Sequence, residues 1–397
     1  MTTRRITRAM RIRLEDFDFH DKLGEGAYGK VYLATHRDTL TRVALKMVKK
    51  KSMLGNPTST LIEREVLEMV QNIPFCAQAY ATFQTENHLF FVMEYMGQGD
   101  LAHQIEKTWL PLPTIRRMSA ELLCGLQHLH SRGIFHRDLK PANILIHLNG
   151  HVYIADFGSA ATGMFGRYLQ EDNGTILYYP PELIKEQPHN QVVDYFSLGV
   201  LLYEAAFGAH PFLRGGIKFL LDSIENETPF YPDDTDPNLV DFLQRLLCKE
   251  PDERERAIAD IEHHPFFQGI NWEELAAGET DPPFPVRRKS HRKQRRTIIN
   301  LEDVMNPEEA ISDQEEAISD QEEAISDQEE AISDQEEAIS DQEEDMMDQE
   351  EDMMDQEEDM MVQEEEMMDQ QEAISASEQA LFNGFSFISE EWIAMQE

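Results

Sequence analysis

His136-Arg137-Asp138-Leu139-Lys140-Pro141-Ala142-Asn143 is the stretch on which the rest of the chain turns. It places a carboxylate, an ammonium two residues on and an amide three further on within one short segment. A carboxylate can accept a hydroxyl proton, a lysine can neutralise a phosphoryl group, and an amide oxygen can hold a hard cation. Any one of these is an ordinary surface residue. Together they form a compact set for handling a phosphoryl group and its metal.

The flanks extend this reading. Residues Ile115 to His130 have helical spacing, with Leu122, Leu123, Leu126 and Leu129 on adjacent faces, and deliver the chain to the stretch. On the other side, Val152-Tyr153-Ile154-Ala155 reads as a short strand. Asp156-Phe157-Gly158 follows, 18 residues after Asp138, where Asp156 can offer a carboxylate to a cation. Pro180-Pro181-Glu182 closes a 26-residue interval that begins at Asp156. Arg254, in Pro251-Asp252-Glu253-Arg254, is the expected structural partner of Glu182.

Towards the N-terminus, Phe17 to Phe19 alternate as a half-buried strand would, and Gly24-Glu25-Gly26-Ala27-Tyr28-Gly29-Lys30-Val31 follows. Such glycines let a hairpin backbone approach phosphates, although the spacing alone also fits a plain turn or a dinucleotide fingerprint. Val31-Tyr32-Leu33-Ala34 continues as a strand, which excludes the helix a dinucleotide site requires. In the next strand, Val43-Ala44-Leu45-Lys46, a lysine among apolar residues calls for an anionic partner. The helical stretch Ser59 to Val70 offers Glu63 or Glu65, with Leu61-Ile62 and Val66-Leu67 as its buried side. Phe90-Phe91-Val92-Met93-Glu94-Tyr95 then runs into a polar connector, Met96 to Gly99, as a hinge between a sheet part and a helical part would.

With these motifs in order, residues 17 to 268 resemble a eukaryotic protein kinase of the group containing protein kinases A and C. Leu14-Glu15-Asp16-Phe17-Asp18-Phe19-His20, the Phe91-Val92-Met93-Glu94-Tyr95 hinge and His264-Pro265-Phe266-Phe267 are most like protein kinase C. The resemblance implies an α+β, two-lobed fold, with a small antiparallel-sheet lobe, a larger helical lobe and a long, acidic, mostly disordered tail. It implies ATP and Mg2+ as cofactors and, through Lys140 after Asp138, serine/threonine proteins as substrates. Asp138 would be the base, Lys140 the phosphoryl neutraliser, Lys46 and Glu63 (favoured over Glu65) the phosphate-positioning pair, and Asn143 and Asp156 the magnesium ligands. Leu23, Gly24, Gly26, Gly29, Val31, Ala44, Lys46, Met93 and Glu94 would line the nucleotide site. Arg137, Glu171, Thr175 and Glu182 would belong to the activation segment.

Departures from the family pattern carry information. Glu171 stands where the group usually has a phosphorylated threonine, so it is expected to pair with Arg137 as a partial phosphate mimic. Asp100 and Glu204 match acids that receive basic residues flanking the target, but Ala142 stands where an acid often precedes the asparagine. A weakened preference for basic flanks follows. The 16 residues ahead of Phe17 are too few for the diacylglycerol- and calcium-binding modules of protein kinase C, so control by that route is not expected.

Charge divides the chain sharply. Of its 76 acids 37 lie beyond Arg296, where none of its 35 bases lies, so a net charge of −41 conceals a first part near −4. Cys76, Cys124 and Cys248 are far apart and form no C-x-x-C pair, which argues against a zinc module or disulfide framework and for a reducing compartment. No signal-peptide core or membrane-spanning run is visible. Cytoplasmic residence is expected, with the basic run Arg287 to Arg296 a candidate nuclear address, polyanion patch, linker or occupant of the substrate groove through Ser290 or Thr297.

The sequence divides into a basic arm (1–16), a kinase domain (17–268), an extension with the basic segment (269–309), an acidic heptad region (310–372) and a terminal tail (373–397). Ala-Ile-Ser-Asp-Gln-Glu-Glu occurs five times from Ala310, then gives way to variants built on Asp-Met-Met-Asp-Gln-Glu-Glu. Adjacent apolar pairs and unrelieved negative charge oppose a coiled coil. Phe382-Asn383-Gly384-Phe385-Ser386-Phe387 resembles the hydrophobic motif of the same kinase group. Phe382, Phe385 and Phe387 are thus expected to dock on the small lobe, with Ser386 at the phosphorylated position. The expected partners are protein substrates and basic proteins drawn to the acidic tail, with no specific nucleic acid. The alternative class is a catalytically silent binding protein on the same fold; a further reading makes the acidic tail the main functional surface.

Overall fold

The computed structural model describes residues 12–26, 29–55, 57–170, 173–213, 215–287, 299, 304 and 376–396. The small lobe is a six-stranded sheet. Strands β1 (Phe17–Gly26), β2 (Gly29–His36), β3 (Arg42–Lys49), β4 (Ala79–Gln84) and β5 (His88–Glu94) are joined at one edge by a short strand from the end of the chain. The spatial order is β1, β2, β3, β5, β4 and then that strand, each pair antiparallel. Helix α1 (Thr58–Met69) covers one face. Its buried residues are Thr60, Glu63, Val66 and Leu67; the expected flank of Leu61 and Ile62 is only half buried. An acid takes that inner position because Lys46 faces it.

Cross-strand register decides what shares a face. Val31 is opposite Lys46, Leu33 opposite Ala44, and Ala44 opposite Met93, so these residues line the face towards α1 and the cleft. Tyr32, Ala34, Val43, Leu45, Met47, Phe90 and Val92 lie on the other face. That face is roofed by distant parts of the chain: Ile12 and Leu14, Ile299 and Val304, and Ile388 and Trp392.

The large lobe is helical: α2 (Leu101–Lys107), α3 (Leu112–Ser131), α4 (Pro181–Ile184), α5 (Val192–Phe207), α6 (Ile217–Asn226), α7 (Pro237–Leu246), α8 (Pro251–Ile258) and α9 (Trp272–Ala276). Helix α3 buries Ile115, Met118, Leu122, Leu126 and Leu129, the three-and-four spacing of a core-facing stripe. Helix α5 is buried almost throughout and ends at Gly208, whose φ of 67° supplies the left-handed cap and whose N–H donates to the Glu204 carbonyl. A two-stranded ribbon, β6 (Ile144–Ile146) with β7 (Val152–Ile154), carries the catalytic stretch on one side and Asp156 on the other.

The chain closes with α10 (Ala376–Ala380), β8 (Phe387–Ile388) and α11 (Glu390–Gln396). Strand β8 pairs with β4, Ala81 opposite Ile388 and Thr82 opposite Phe387. The acidic heptads, the arm up to residue 11 and the basic residues 288–296 lie outside the described residues, as do the expectations placed on them.

Candidate active site

Lys46 reaches both carboxylate oxygens of Glu63, at 2.7 and 2.8 Å, and lies 3.8 Å from Asp156. Glu65 is exposed, and Glu63 is the glutamate that meets Lys46. Burial drives the Glu63 carboxyl above its ordinary range, Lys46 pulls it back, and the charge of Asp156 adds to the upward push. Asp156 adopts φ 63°, a left-handed conformation that costs a side-chain-bearing residue about 1–3 kcal/mol. Its side chain remains half exposed, towards the cleft.

Asp138 is the hub of the second cluster. Its Oδ1 accepts the Thr175 hydroxyl at 2.7 Å, while Lys140 donates to its Oδ2 and to Thr175 Oγ1, both at 2.8 Å. Asn143 Nδ2 donates to the Asp138 carbonyl at 2.8 Å and to Oδ2 at 3.1 Å. The amide nitrogen is thus turned to Asp138, and the oxygen is the end a cation would use. Thr175 is held by Gly174, whose φ of 110° and close approach to the Arg137 carbonyl leave no room for a Cβ.

A residue absent from the sequence reading fixes the stretch. Asp194, fully buried in α5, accepts the backbone N–H groups of His136 (2.9 Å) and Arg137 (2.7 Å) and pairs with His130 Nε2 at 2.8 Å. Burial pushes its carboxyl up, but the interactions with His130 and His136 and the Arg137 N–H donor together outweigh that and leave it below its ordinary range. The signal was in the sequence: one acid inside the apolar run Val192 to Tyr203. His136 accepts from the Asp138 N–H through Nδ1 and approaches the Ala155 carbonyl through Nε2 at 3.1 Å, which assigns the proton to Nε2 and ties the stretch to the Asp156 side.

Arg137, at φ 68°, donates through Nε to the Ser159 carbonyl at 2.7 Å. Glu171 lies outside the described residues, so its pairing with Arg137 stays an expectation. Glu182 meets the fully buried Arg254 in the large-lobe core. The two acids expected to read substrate both have structural partners: Asp100 Oδ1 caps α2 by accepting the His103 N–H at 2.8 Å, and Glu204 Oε2 accepts the Tyr178 hydroxyl at 2.8 Å. Burial raises the Glu204 pKa, which weakens it as a partner for a base.

The cleft fits a nucleotide and a hard cation. Val31, Ala44 and Met93 are half exposed within a sheet whose other face is buried, and Leu23 stands open at its rim. Among the described residues nothing lies within 4 Å of where a Cβ would stand at Gly24 or Gly26, so both positions face open space. Gly29 instead packs against the Met47 carbonyl. Glu94 pairs with His147 at 3.5 Å at the start of the hinge. Among the described residues no three His, Cys, Asp or Glu side chains gather as a metal cage. One carboxylate with an amide suits a cation that takes its remaining ligands from phosphates and water.

A small sheet lobe, a helical lobe and, between them, a lysine–glutamate pair facing an aspartate hub define the class: a two-lobed phosphotransferase fold. The chain belongs to the protein kinase domain family, which matches residues 17–267. It is similar to protein kinase C delta type of Mus musculus, 38% identical over 284 residues, covering 70% of this chain and 42% of the relative. A putative protein kinase C delta type homolog of Drosophila melanogaster is 40% identical over 287 residues, with 70% and 43% covered. Protein kinase C epsilon type of Oryctolagus cuniculus is 34% identical over 313 residues, with 76% and 42% covered. The chain therefore spans less than half the length of these relatives. Among the described residues, no helix is long and apolar enough to cross a membrane.

Proposed function

We propose that this chain transfers the γ-phosphoryl group of ATP to serine and threonine hydroxyls of proteins. The observation that carries the reading is the Asp138 carboxylate, which accepts a hydrogen bond from the Thr175 hydroxyl beside the Lys140 ammonium. Bound ATP with magnesium would supply the phosphoryl group and leave as ADP. Asp138 orients the substrate hydroxyl and takes its proton as the new oxygen–phosphorus bond forms and the β–γ bridge breaks. Lys140 neutralises charge on the transferring group; Lys46, held by Glu63, positions the phosphates; Asp156 and Asn143 hold the cations.

Recognition of basic flanking residues rests on Asp100 and Glu204 and is weak, given their structural engagements and Ala142. Domain limits at 16/17 and 268/269, intracellular residence, and docking of Phe382, Phe385 and Phe387 with Ser386 as a modifiable position belong to the same reading. The experiment is a radiolabelled-phosphate transfer assay on the chain and its Asp138→Asn variant. Loss of about three orders of magnitude in kcat with folding retained supports it; equal incorporation by both proteins, or none by either, overturns it.

A further inference from the structure

Trp392 is among the largest side chains that the fold buries completely, yet it lies beyond the aromatic motif that ends at Phe387. Its indole packs 4.9 Å from His36, 5.3 Å from Tyr80 and 6.4 Å from Phe17, all between ring centroids. These residues belong to the sheet face turned away from α1. Phe382 and Phe385 belong to the opposite side, packed with α1 in the main core, where Phe385 meets Phe91 edge-on at 5.3 Å. The edge strand β8 passes between them. A segment from Phe382 to Trp392 thus grips both faces of one sheet, which a motif ending at Phe387 cannot do.

The backbone joins these two grips tightly. Thr82 Oγ1 donates to the Phe385 carbonyl at 2.5 Å and accepts from the Phe387 N–H at 3.2 Å. The Ser389 N–H donates to the Tyr80 carbonyl at 2.7 Å, and Ser389 Oγ accepts the Trp392 N–H at 3.2 Å, starting α11. The route to the active site is short: Arg64, next to Glu63 on α1, donates through Nε to the Phe385 carbonyl at 3.2 Å and lies over the Phe387 ring at 5.7 Å.

We propose that Trp392 is a positioning residue. By filling the outer face it holds β8 in register, so that the Phe385 seat on α1, and with it the Lys46–Glu63 pair, depends on a side chain beyond the motif. Its effect on catalysis rests on the kinase reading above; its effect on the seat does not. The indole N–H has no hydrogen-bond partner among the described residues, so the ring acts through shape and apolar area. Phenylalanine should therefore serve in its place.

The test uses the full chain with Trp392→Ala, Trp392→Phe, Phe385→Ala and the Trp392→Ala/Phe385→Ala double variant. Amide exchange at Phe387 and Ser389 and steady-state kinetics are the readouts. Trp392→Ala should speed exchange at those two amides by about tenfold or more while β2 and β3 stay protected. It should lower kcat about as much as Phe385→Ala does, and the double variant should be no worse than Phe385→Ala alone, because both act through one seat. Trp392→Phe should restore both readouts. Unchanged exchange at 387 and 389, losses that multiply in the double variant, or exchange that rises across the whole small lobe would each overturn the proposal. Absence of turnover in the unsubstituted chain would overturn the kinase reading, whereas the seat is judged by exchange alone.

Discussion

His88 opens β5 almost fully buried, with both ring nitrogens lacking a hydrogen-bond partner among the described residues, and Lys49 and Lys50 nearby. Burial, reinforced by these two positive charges, lowers its pKa from 6.5 to about 4. In the unfolded chain the imidazole binds its proton near pH 6.5; in the folded chain it resists down to about pH 4. Within that window the unfolded state binds more protons, so stability falls as pH falls, by up to about 3 kcal/mol for this group alone. Urea titrations of the chain and of His88→Leu between pH 7 and 4.5 should show a shallower acid decline in the variant; parallel declines would contradict the assignment. Sequence could not have marked His88, because burial is set by the strands around it. The chemistry-bearing residues were legible for the opposite reason: Lys46, Asp138, Asn143 and Asp156 are polar groups at fixed spacings within apolar context, and spacing survives in a linear text.

The element that governs the catalytic stretch is α5, through one carboxylate. Asp194 accepts two successive backbone N–H groups where Arg137 adopts a left-handed conformation, so helix and loop are fastened at a strained point. Asp194→Asn should turn one accepted hydrogen bond into a donor–donor conflict. A loss of about 1–3 kcal/mol in stability is expected, with kcat reduced more than KM is raised; thermal unfolding and a substrate titration read the two. The elements read from the sequence were β1, β2, β3, α1, β5, α3 and β7, and their ends miss by a residue or more in either direction, since the last turns and edge pairs are fixed by packing, not by pattern. The terminal strand and helix were not foreseen as such. Their aromatics carried only an expectation of docking, and a two-residue strand has no periodicity to read.

At the scale of the molecule, the division into sheet lobe, hinge and helical lobe followed from the order of motifs and from the Phe90 to Gly99 connector. Which segments would cover the outer face of the small sheet did not follow. Ile12, Leu14, Ile299, Val304, Ile388 and Trp392 come from widely separated parts of the chain, and no local pattern joins them. The acids beyond Arg296 carry the bulk of the net charge, yet the anchors on either side of them are apolar. Those anchors hold the lobe through apolar area buried between distant parts of the chain.

That roof has one more consequence. Val304 and Phe382 are both buried in the small lobe, so the sequence between them, acidic heptads included, is joined to the lobe at both ends. The entropic cost of closing a flexible loop grows only with the logarithm of its length. Removing two of the five heptads would change it by about 0.2 kcal/mol, and doubling the span by about 0.6 kcal/mol. Variants with three or ten heptads should melt within about 1 °C of the parent in a thermal scan; a graded shift with repeat number would show that the heptads bind the lobe. The number of heptads is therefore expected to change by whole repeats with little effect on the stability of the fold.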